Sequence, residues 1–296
     1  MAADKYHIAN WLRTSGPNTK PVFHLPRVPY LEPGNVEWIF QDDRFYQWKA
    51  TNVSQLLWIH GAPGTGKTML CSRIISHIER HCRLSVDAPK PMRRVDFYFD
   101  SSDRQKQSLR ALLESVAVNM VYKNDGKPPS RCVISFERLS WRQYIYEPSL
   151  KHSTVVSETA ASLYKSKDHG RIIPSLEELF EVIAAEVSHT EVTYLIIDAL
   201  NECPEPERKA FFDQFLQRML QANIKILITS RKIRDIERAI EAVDSNDIRI
   251  HDSIVDAETK DEIAIRISQY NDIASRDPYT MADAVDGIVA GGVKNT

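Results

Sequence analysis

The sequence predicts an α/β fold in three layers, in which helices cover both faces of a parallel five-stranded sheet. Apolar runs typical of buried strands alternate along the chain with segments whose apolar residues recur every three or four positions. Strands and helices that alternate in this way form parallel sheets, because each helix carries the chain back across the sheet. With 296 residues, 43% of them hydrophobic, the chain is long enough to bury such a core.

Residues 1–50 are predicted to be a lead-in rather than a domain. This segment holds two short helical patches, Ile8–Leu12 and Val36–Trp48, separated by a stretch with several prolines. The lead-in therefore brings the chain to the α/β domain, which we expect to span residues 51–250.

Five segments of the domain have the pattern of strands. They are Leu56–His60, Arg94–Phe99, Val192–Asp198, Ile224–Thr229 and Asp247–Ile250. Helical periodicity is found between or beside them, in Met69–Ile78, Gln107–Val121, a helix that starts near Pro174-Ser175, Pro206–Ala222 and Ile233–Val243. The order of these elements is that of a doubly covered parallel sheet.

One segment interrupts the alternation. Residues 123–171 lose periodicity and exceed the usual length of a connection inside a compact domain, so an insertion or long loop is predicted there. Beyond the last strand, Lys260–Tyr270 and Met281–Val289 are predicted helices. They make residues 251–296 the expected start of a C-terminal helical region.

Composition narrows the classes of partner. The 38 basic and 40 acidic residues leave a net charge of −2, so no overall field favours nucleic acid or an anionic membrane. The 4 cysteines form no CxxC pair, and we expect them to be free thiols. Since the chain shows neither a membrane span nor a secretory signal, a cytoplasmic location is expected, with no nucleic-acid or membrane partner.

The most specific motif lies between the first strand and the first amphipathic helix. It is the run Gly61-Ala62-Pro63-Gly64-Thr65-Gly66-Lys67-Thr68. Two glycines, a lysine and a hydroxyl residue at this spacing match the P-loop, also called Walker A, which wraps backbone amides around nucleotide phosphates. A merely flexible glycine turn is the alternative. The order of strand, turn and helix favours the phosphate site, and with it the P-loop NTPase version of the fold.

Each residue type in the run has a chemical reason. Glycines allow a tight bend with inward-pointing amides, and the helix N-terminus favours an anion. Lys67 would add a full charge for the β and γ phosphates. The Thr68 hydroxyl would serve as one hard oxygen ligand of Mg²⁺. All eight residues, Gly61 to Thr68, are therefore predicted to bind the nucleotide.

Two acidic residues complete the predicted site. Asp198 ends the third strand, and the carboxyl ends of parallel strands share one sheet edge, so Asp198 is predicted to be the Walker B ligand of Mg²⁺. An ordinary aspartate that caps a turn is the alternative. Glu202 is predicted to polarise an attacking water, as a catalytic residue, and its alternative is a solvated acid in an acidic turn.

Arg231 is the other predicted catalytic residue. It follows the fourth strand, and its guanidinium would reach the γ-phosphate if that strand lies next to the strand that enters the P-loop. The alternative is a surface arginine in a basic cluster with Lys232 and Arg234.

These motifs resemble the NACHT-type nucleotide-binding domains of STAND NTPases, which include the NOD-like receptors, and above all the nephrocystin-like N-terminal domains of filamentous fungi. The likeness lies in five segments, GNVEWIFQDDRFYQWK, LLWIHGAPGTGKTMLCSRII, DFYFDSSDRQKQSLRALLESVA, TYLIIDALNEC and IKILITSRK. It implies binding of ATP or ADP with Mg²⁺, slow or absent hydrolysis, and a signalling switch whose ATP form assembles into a homo-oligomer and acts on a protein partner that is not identified.

Two departures from that family limit the expectation. Asn201 stands where the family usually has a second aspartate, so at most a weak ATPase is expected. The chain also ends at Thr296, where relatives continue into further modules, which predicts either a minimal member or a truncated product. A non-switching nucleotide-binding fragment is therefore the main alternative function. A metabolic P-loop kinase would need an arginine-rich lid, and a GTPase an Asn-Lys-x-Asp motif, and neither is found.

Overall fold

The computed structural model describes residues 7, 8, 11, 12, 37–51, 53–85, 88–121, 157–222, 224–243 and 245–250. The strands are β1 (Gln55–His60), β2 (Arg93–Tyr98), β3 (Thr193–Asp198), β4 (Ile224–Ser230) and β5 (Ser245–Arg249). The helices are α1 (Trp38–Gln41), α2 (Asp43–Ala50), α3 (Lys67–Leu84), α4 (Leu109–Val121), α5 (Glu158–Ser166), α6 (Leu176–Val187), α7 (Glu205–Ala210), α8 (Gln217–Gln221) and α9 (Arg234–Glu241). No helix among these residues is both long and apolar enough to cross a membrane.

The sheet has the strand order β2-β3-β4-β1-β5, and every neighbouring pair is parallel. All five predicted strands are confirmed, with ends that differ by one or two residues. β4 lies between β1 and β3, and Ile59 pairs with Thr229 in the register. The ends of β1, β3 and β4 therefore meet at one edge of the sheet.

Two hydrophobic layers enclose the sheet and confirm the three-layer prediction. Helices α4 and α6 pack on one face, where they bury Leu112 and Ile183 among other residues. Helices α2 and α3 cover the other face with Trp48 and Ile74. β3 and β4 are buried along their whole length, and most of their residues are apolar, as parallel strands between two helical layers require.

Residues of the predicted lead-in pack into both layers. Ile8, Trp11 and Leu12 are buried with the α4 and α6 side of the core. Trp48 is buried on the opposite face, and its indole Nε1 donates to the carbonyl oxygen of Ile226 at 3.1 Å. These lead-in side chains thus stabilise the sheet itself.

The helical patch predicted over Val36–Trp48 is divided into two helices in the structure. Asp42 separates α1 from α2 with an extended backbone, φ −71° and ψ 124°. Its side chain accepts a hydrogen bond from the backbone nitrogen of Arg44 at 2.9 Å and so caps α2. An aspartate that can cap a helix competes with continuation of the preceding one.

Part of the predicted insertion is helical. Helix α5 lies within residues 123–171, is capped by the Ser157 side chain at Ala160 N (3.1 Å), and buries Ala160 in the core. Its sequence, ETAASLYKS, has few large apolar residues, so its periodicity is weak. Residues 123–156 and the predicted helices after residue 250 lie outside the described residues.

The predicted helix over Pro206–Ala222 contains a π-helical stretch. Helix α7 passes into Phe211–Leu216, where the backbone widens, and then into α8. Four apolar side chains of that stretch are buried, namely Phe211, Phe212, Phe215 and Leu216. The widened turn places these four side chains against the core.

Candidate nucleotide-binding site

The glycine-rich loop runs from the end of β1 to the start of α3. Gly64 and Gly66 have left-handed backbones, with φ of 81° and 73°, and no atom lies within 4 Å of a Cβ built on either. Backbone conformation, rather than crowding, therefore requires glycine at these two positions. The loop also closes on itself, because the Thr65 hydroxyl donates to the Ala62 carbonyl oxygen at 2.9 Å.

Lys67 begins α3, and its side chain lies back over the loop. The ammonium Nζ donates to the carbonyl oxygens of Gly61 and Ala62, at 2.9 and 2.5 Å. Partial burial lowers the pKa of Lys67, and the nearby positive charge of Arg231 lowers it further. The charge of Arg231 is therefore felt at Lys67.

Asp198 ends β3 with a carboxylate that is only 2% exposed. Burial raises the pKa of Asp198, and hydrogen bonds from the hydroxyl groups of Thr229 and Thr68 oppose that rise. Thr229 belongs to β4 and Thr68 to α3, so three elements meet at this carboxylate. The structure thus brings together the two predicted Mg²⁺ ligands, Thr68 and Asp198. Both offer the hard oxygen atoms that this cation prefers.

The turn after β3 is tied to the end of β4. Ala199 has a left-handed backbone, φ 57° and ψ 43°, and its nitrogen donates to the Thr229 hydroxyl at 3.1 Å. Asn201 Oδ1 accepts a hydrogen bond from the backbone nitrogen of Arg231 at 2.9 Å. This contact could not be predicted from the sequence, because the two residues are brought together only by the strand order.

Arg231 follows β4, which does lie next to β1 as the sequence argument required. Arg231 is exposed directly after the carboxyl end of β4, and its charge lowers the pKa of Lys67. The neighbouring Lys232 differs, since its Nζ pairs with the Glu237 carboxylate at 2.6 Å. The three basic residues after β4 are therefore not one uniform surface cluster.

Glu202 lies on the β2 side of Asp198. Its Oε2 accepts hydrogen bonds from the backbone nitrogen of Ser101 at 3.0 Å and from the Ser101 hydroxyl at 3.4 Å. Its charge adds to the rise in the pKa of Asp198, so the two acids are near each other. The role of Glu202 in polarising water stays a prediction.

Sequence reasoning missed two side-chain contacts that β1 makes with its neighbouring strands near this edge. The indole Nε1 of Trp58 donates to the Ser230 hydroxyl at 2.8 Å, and thus joins β1 to β4. His60 Nε2 lies 3.2 Å from Asp247 Oδ2 on β5, and burial lowers the pKa of His60. A polar residue within an apolar strand, such as His60, was the available signal, but its partner is distant in sequence.

A glycine-rich loop between an interior strand of a parallel sheet and a helix, with a lysine over it and a carboxylate beside it, defines a P-loop NTPase-like nucleotide-binding domain. The family model described as Nephrocystin 3, N-terminal, matches residues 34–231 of the chain, which is more than half of it. The chain therefore belongs to the nephrocystin 3 N-terminal family, and it is a NACHT-like P-loop domain.

Among characterised proteins, the chain is similar to the vegetative incompatibility protein HET-E-1 of Podospora anserina, with 27% identity over 210 residues. The match covers 69% of this chain but only 13% of that relative, so the chain spans a small part of its length.

Among solved structures, the chain aligns with the Aeropyrum pernix ORC1 protein in complex with DNA, at 10% identity and a TM-score of 0.46, over 80% of this chain and 52% of the other. It also aligns with C. elegans PCH-2 at 15% identity and a TM-score of 0.33, over 83% of this chain and 41% of the other. The alignment with Drosophila ORC bound to DNA has 14% identity and a TM-score of 0.37, and it covers 86% of this chain and 50% of the other.

Proposed function

We propose that this domain binds ATP and ADP with Mg²⁺ and serves as a nucleotide-dependent signalling switch with slow or absent hydrolysis. The observation that carries the proposal is the meeting of Lys67, Asp198 and Arg231 at the carboxyl edge of three adjacent strands. Two cations and one anion at that edge suit a phosphate chain and its metal ion. The similarity to a vegetative incompatibility protein supports a signalling role in an incompatibility response.

The loop from Gly61 to Thr68 would hold the phosphates. The left-handed backbones of Gly64 and Gly66 give the loop its tight curve, and helix α3 directs the positive end of its dipole to the same place. Lys67 now contacts neutral carbonyl oxygens, which are weaker partners for an ammonium than phosphate oxygens. A nucleotide would therefore draw this side chain onto its phosphates.

Thr68 and Asp198 would hold Mg²⁺. The Thr68 hydroxyl group lowers the pKa of Asp198, and the carboxylate is desolvated, so a divalent cation would compensate its burial. When bound, the ion supplies positive charge to the β and γ phosphates. Thr229 keeps the carboxylate oriented through its hydroxyl group.

Arg231 would distinguish ATP from ADP, because only ATP presents a γ-phosphate to a guanidinium at this edge. Glu202 is bonded to Ser101 and Asn201 is neutral, so the proposal assigns weak hydrolysis at most. The switch would act through assembly of several ATP-bound copies and an unidentified signalling protein. A nucleotide-binding domain that does not switch is the second candidate, favoured by the exposure of Arg231.

Nucleotide titration tests the binding proposal. The protein is titrated with labelled ATP, ADP and GTP, with and without Mg²⁺, beside Lys67→Ala and the control Lys209→Ala, an exposed lysine of α7. We expect Lys67→Ala to lose affinity by at least about tenfold, while Lys209→Ala keeps it. At about one hundred times Kd, nucleotide should stabilise the fold by about 2.7 kcal/mol. Equal binding by Lys67→Ala would contradict the proposal.

Mass measurement tests the switch. Light scattering in saturating ATP or ADP should show a larger particle with ATP. Arg231→Ala should remove that difference, and Arg238→Ala, an exposed arginine on α9, should preserve it. The same mass in both nucleotides would favour the non-switching alternative. Rapid phosphorylation of a small acceptor would instead indicate a kinase.

A further inference from the structure

Asn201 makes a contact that the nucleotide site itself does not explain. Its Oδ1 accepts the backbone N–H of Arg231 at 2.9 Å, across the gap between the turn after β3 and the end of β4. On the other side of β4, the backbone nitrogen of Gly61 donates to the Ser230 carbonyl oxygen at 3.4 Å. The peptide that leads into Arg231 is therefore held from both neighbouring strands.

The turn that carries Asn201 is itself fixed. Ala199 N donates to Thr229, and the nitrogen of Glu202 donates to the Ala199 carbonyl oxygen at 2.8 Å. The Glu202 side chain then holds the end of the turn through Ser101. Because both ends of this turn are anchored, the amide of Asn201 has a defined position relative to β4.

We propose that Asn201 is a positioning residue for Arg231, and that it sets how strongly the site prefers ATP to ADP. The inference rests on the proposed nucleotide binding, and it gives Asn201 a role that does not require an acid. Without its acceptor, the backbone of Arg231 loses its link to β3, and the guanidinium samples more directions. Ordering that side chain on a γ-phosphate then costs more conformational entropy.

The effect is specific to ATP. ADP has no γ-phosphate, so its affinity depends on the P-loop and not on Arg231. A structural defect in the loop would weaken both nucleotides equally. The ratio of the two dissociation constants therefore separates positioning from general damage.

The experiment uses two substitutions of similar size. Asn201→Leu removes the acceptor, and Asn201→Asp keeps it. Dissociation constants for ATP and ADP with Mg²⁺ are measured for both, for wild type, for Arg231→Ala, and for Asn201→Leu combined with Arg231→Ala. We expect Asn201→Leu to lower the ATP preference roughly three- to tenfold, which corresponds to one lost hydrogen bond. Its ADP affinity should be unchanged, and Asn201→Asp should keep the wild-type preference.

The combined variant tests whether Asn201 acts through the Arg231 side chain. Once Arg231 is alanine, Asn201→Leu should cause no further change in the ATP preference, since it acts only through that side chain. Additive losses would overturn the proposal, as would equal losses for ATP and ADP or an unchanged preference in Asn201→Leu. If Asn201→Leu fails to fold, Asn201→Ala takes its place in the same comparisons. A wild type that binds neither nucleotide would instead overturn the proposed function.

Discussion

At the scale of single residues, the site depends on three left-handed backbones. Gly64 and Gly66 were predicted from the motif, because glycine is the residue for which this conformation costs least. Ala199 was not, since an alanine gives no sign of a positive φ. Its conformation lets the turn after β3 reach both Thr229 and Arg231.

Substitution of Ala199 tests this conformation. A β-branched side chain is strained at φ 57°, so Ala199→Val should lower the free energy of unfolding by about 1–2 kcal/mol, whereas Ala199→Gly should stay within about 1 kcal/mol of wild type. Urea unfolding measures both. Ala239→Val in helix α9 is the control for added volume at a half-buried site. Equal stability of the valine and glycine variants at position 199 would contradict the assignment.

The buried carboxylate of Asp198 should cost stability at neutral pH. Because its pKa in the fold lies above its unfolded value, the stabilisation of the protonated form is complete below the unfolded pKa and is lost as pH rises through the folded pKa. Asp198→Asn should therefore raise the melting temperature at pH 8, by about 2 °C for each 1 kcal/mol, and less at pH 5.

The same variant should lose the stabilisation by MgATP. Thermal melts at the two pH values, with and without MgATP, check both effects, and Asp213→Asn on the protein surface is the control. An unchanged MgATP shift in Asp198→Asn would show that Asp198 is not a metal ligand.

At the scale of elements, the strands were predictable and their spatial order was not. β3 and β4 are mostly apolar because helices cover both faces of the sheet, and that pattern can be read from sequence. The place of β4 between β1 and β3 depends on packing of the whole sheet, so the contact of Asn201 with Arg231 could not be foreseen. The conformation of the glycine-rich loop was predictable because it depends on residues that are adjacent in sequence.

An element-level prediction concerns the joint between α2 and β4. Lys225 of β4 is fully buried, and its Nζ donates to the Lys49 carbonyl oxygen at 2.8 Å, near the end of α2. The Tyr194 hydroxyl donates to the same oxygen at 3.1 Å. Burial lowers the pKa of Lys225 from 10.5 to about 8. With this pKa the buried ammonium is charged at neutral pH, and its burial therefore destabilises the fold.

Lys225→Met should therefore stabilise the fold at pH 7 by about 1–3 kcal/mol, after loss of one hydrogen bond. Stability from a group with a depressed pKa is present above the unfolded pKa and lost as pH falls through the folded pKa. The advantage of the methionine variant should thus shrink between pH 8 and 10.5. Urea unfolding at pH 7 and 10 measures it, with Lys209→Met as control. A constant difference across this range would contradict the buried charge.

At the scale of the whole molecule, residues near the N-terminus belong to the fold. Trp11 is 7% exposed, and its Nε1 donates to the Ile172 carbonyl oxygen at 2.9 Å. Its ring meets Tyr164 edge to face at 5.3 Å, and a Cβ on Gly170 would lie 3.2 Å from it. Gly170 has φ 87°, so the turn closes over the indole in a conformation that glycine allows.

Truncation of Trp11 should therefore destabilise the entire domain. We expect Trp11→Ala to cost about 3–5 kcal/mol and Trp11→Phe to cost less, since phenylalanine keeps an aromatic ring and loses one hydrogen bond. Denaturant unfolding followed by circular dichroism measures the change in one transition. Tyr46→Ala, an exposed aromatic residue of α2, is the control. A wild-type midpoint for Trp11→Ala would show that this segment lies outside the cooperative unit.

Strand β5 ends directly against the P-loop. The Ile250 nitrogen donates to the His60 carbonyl oxygen at 2.8 Å, and a Cβ on Gly61 would lie 3.3 Å from Ile250 Cβ and 2.8 Å from Thr65 Oγ1. A side chain at position 61 would therefore crowd both neighbours. A displacement of the chain at residue 250 would thus reach the first amide of the phosphate loop directly, through the hydrogen bond between Ile250 and His60.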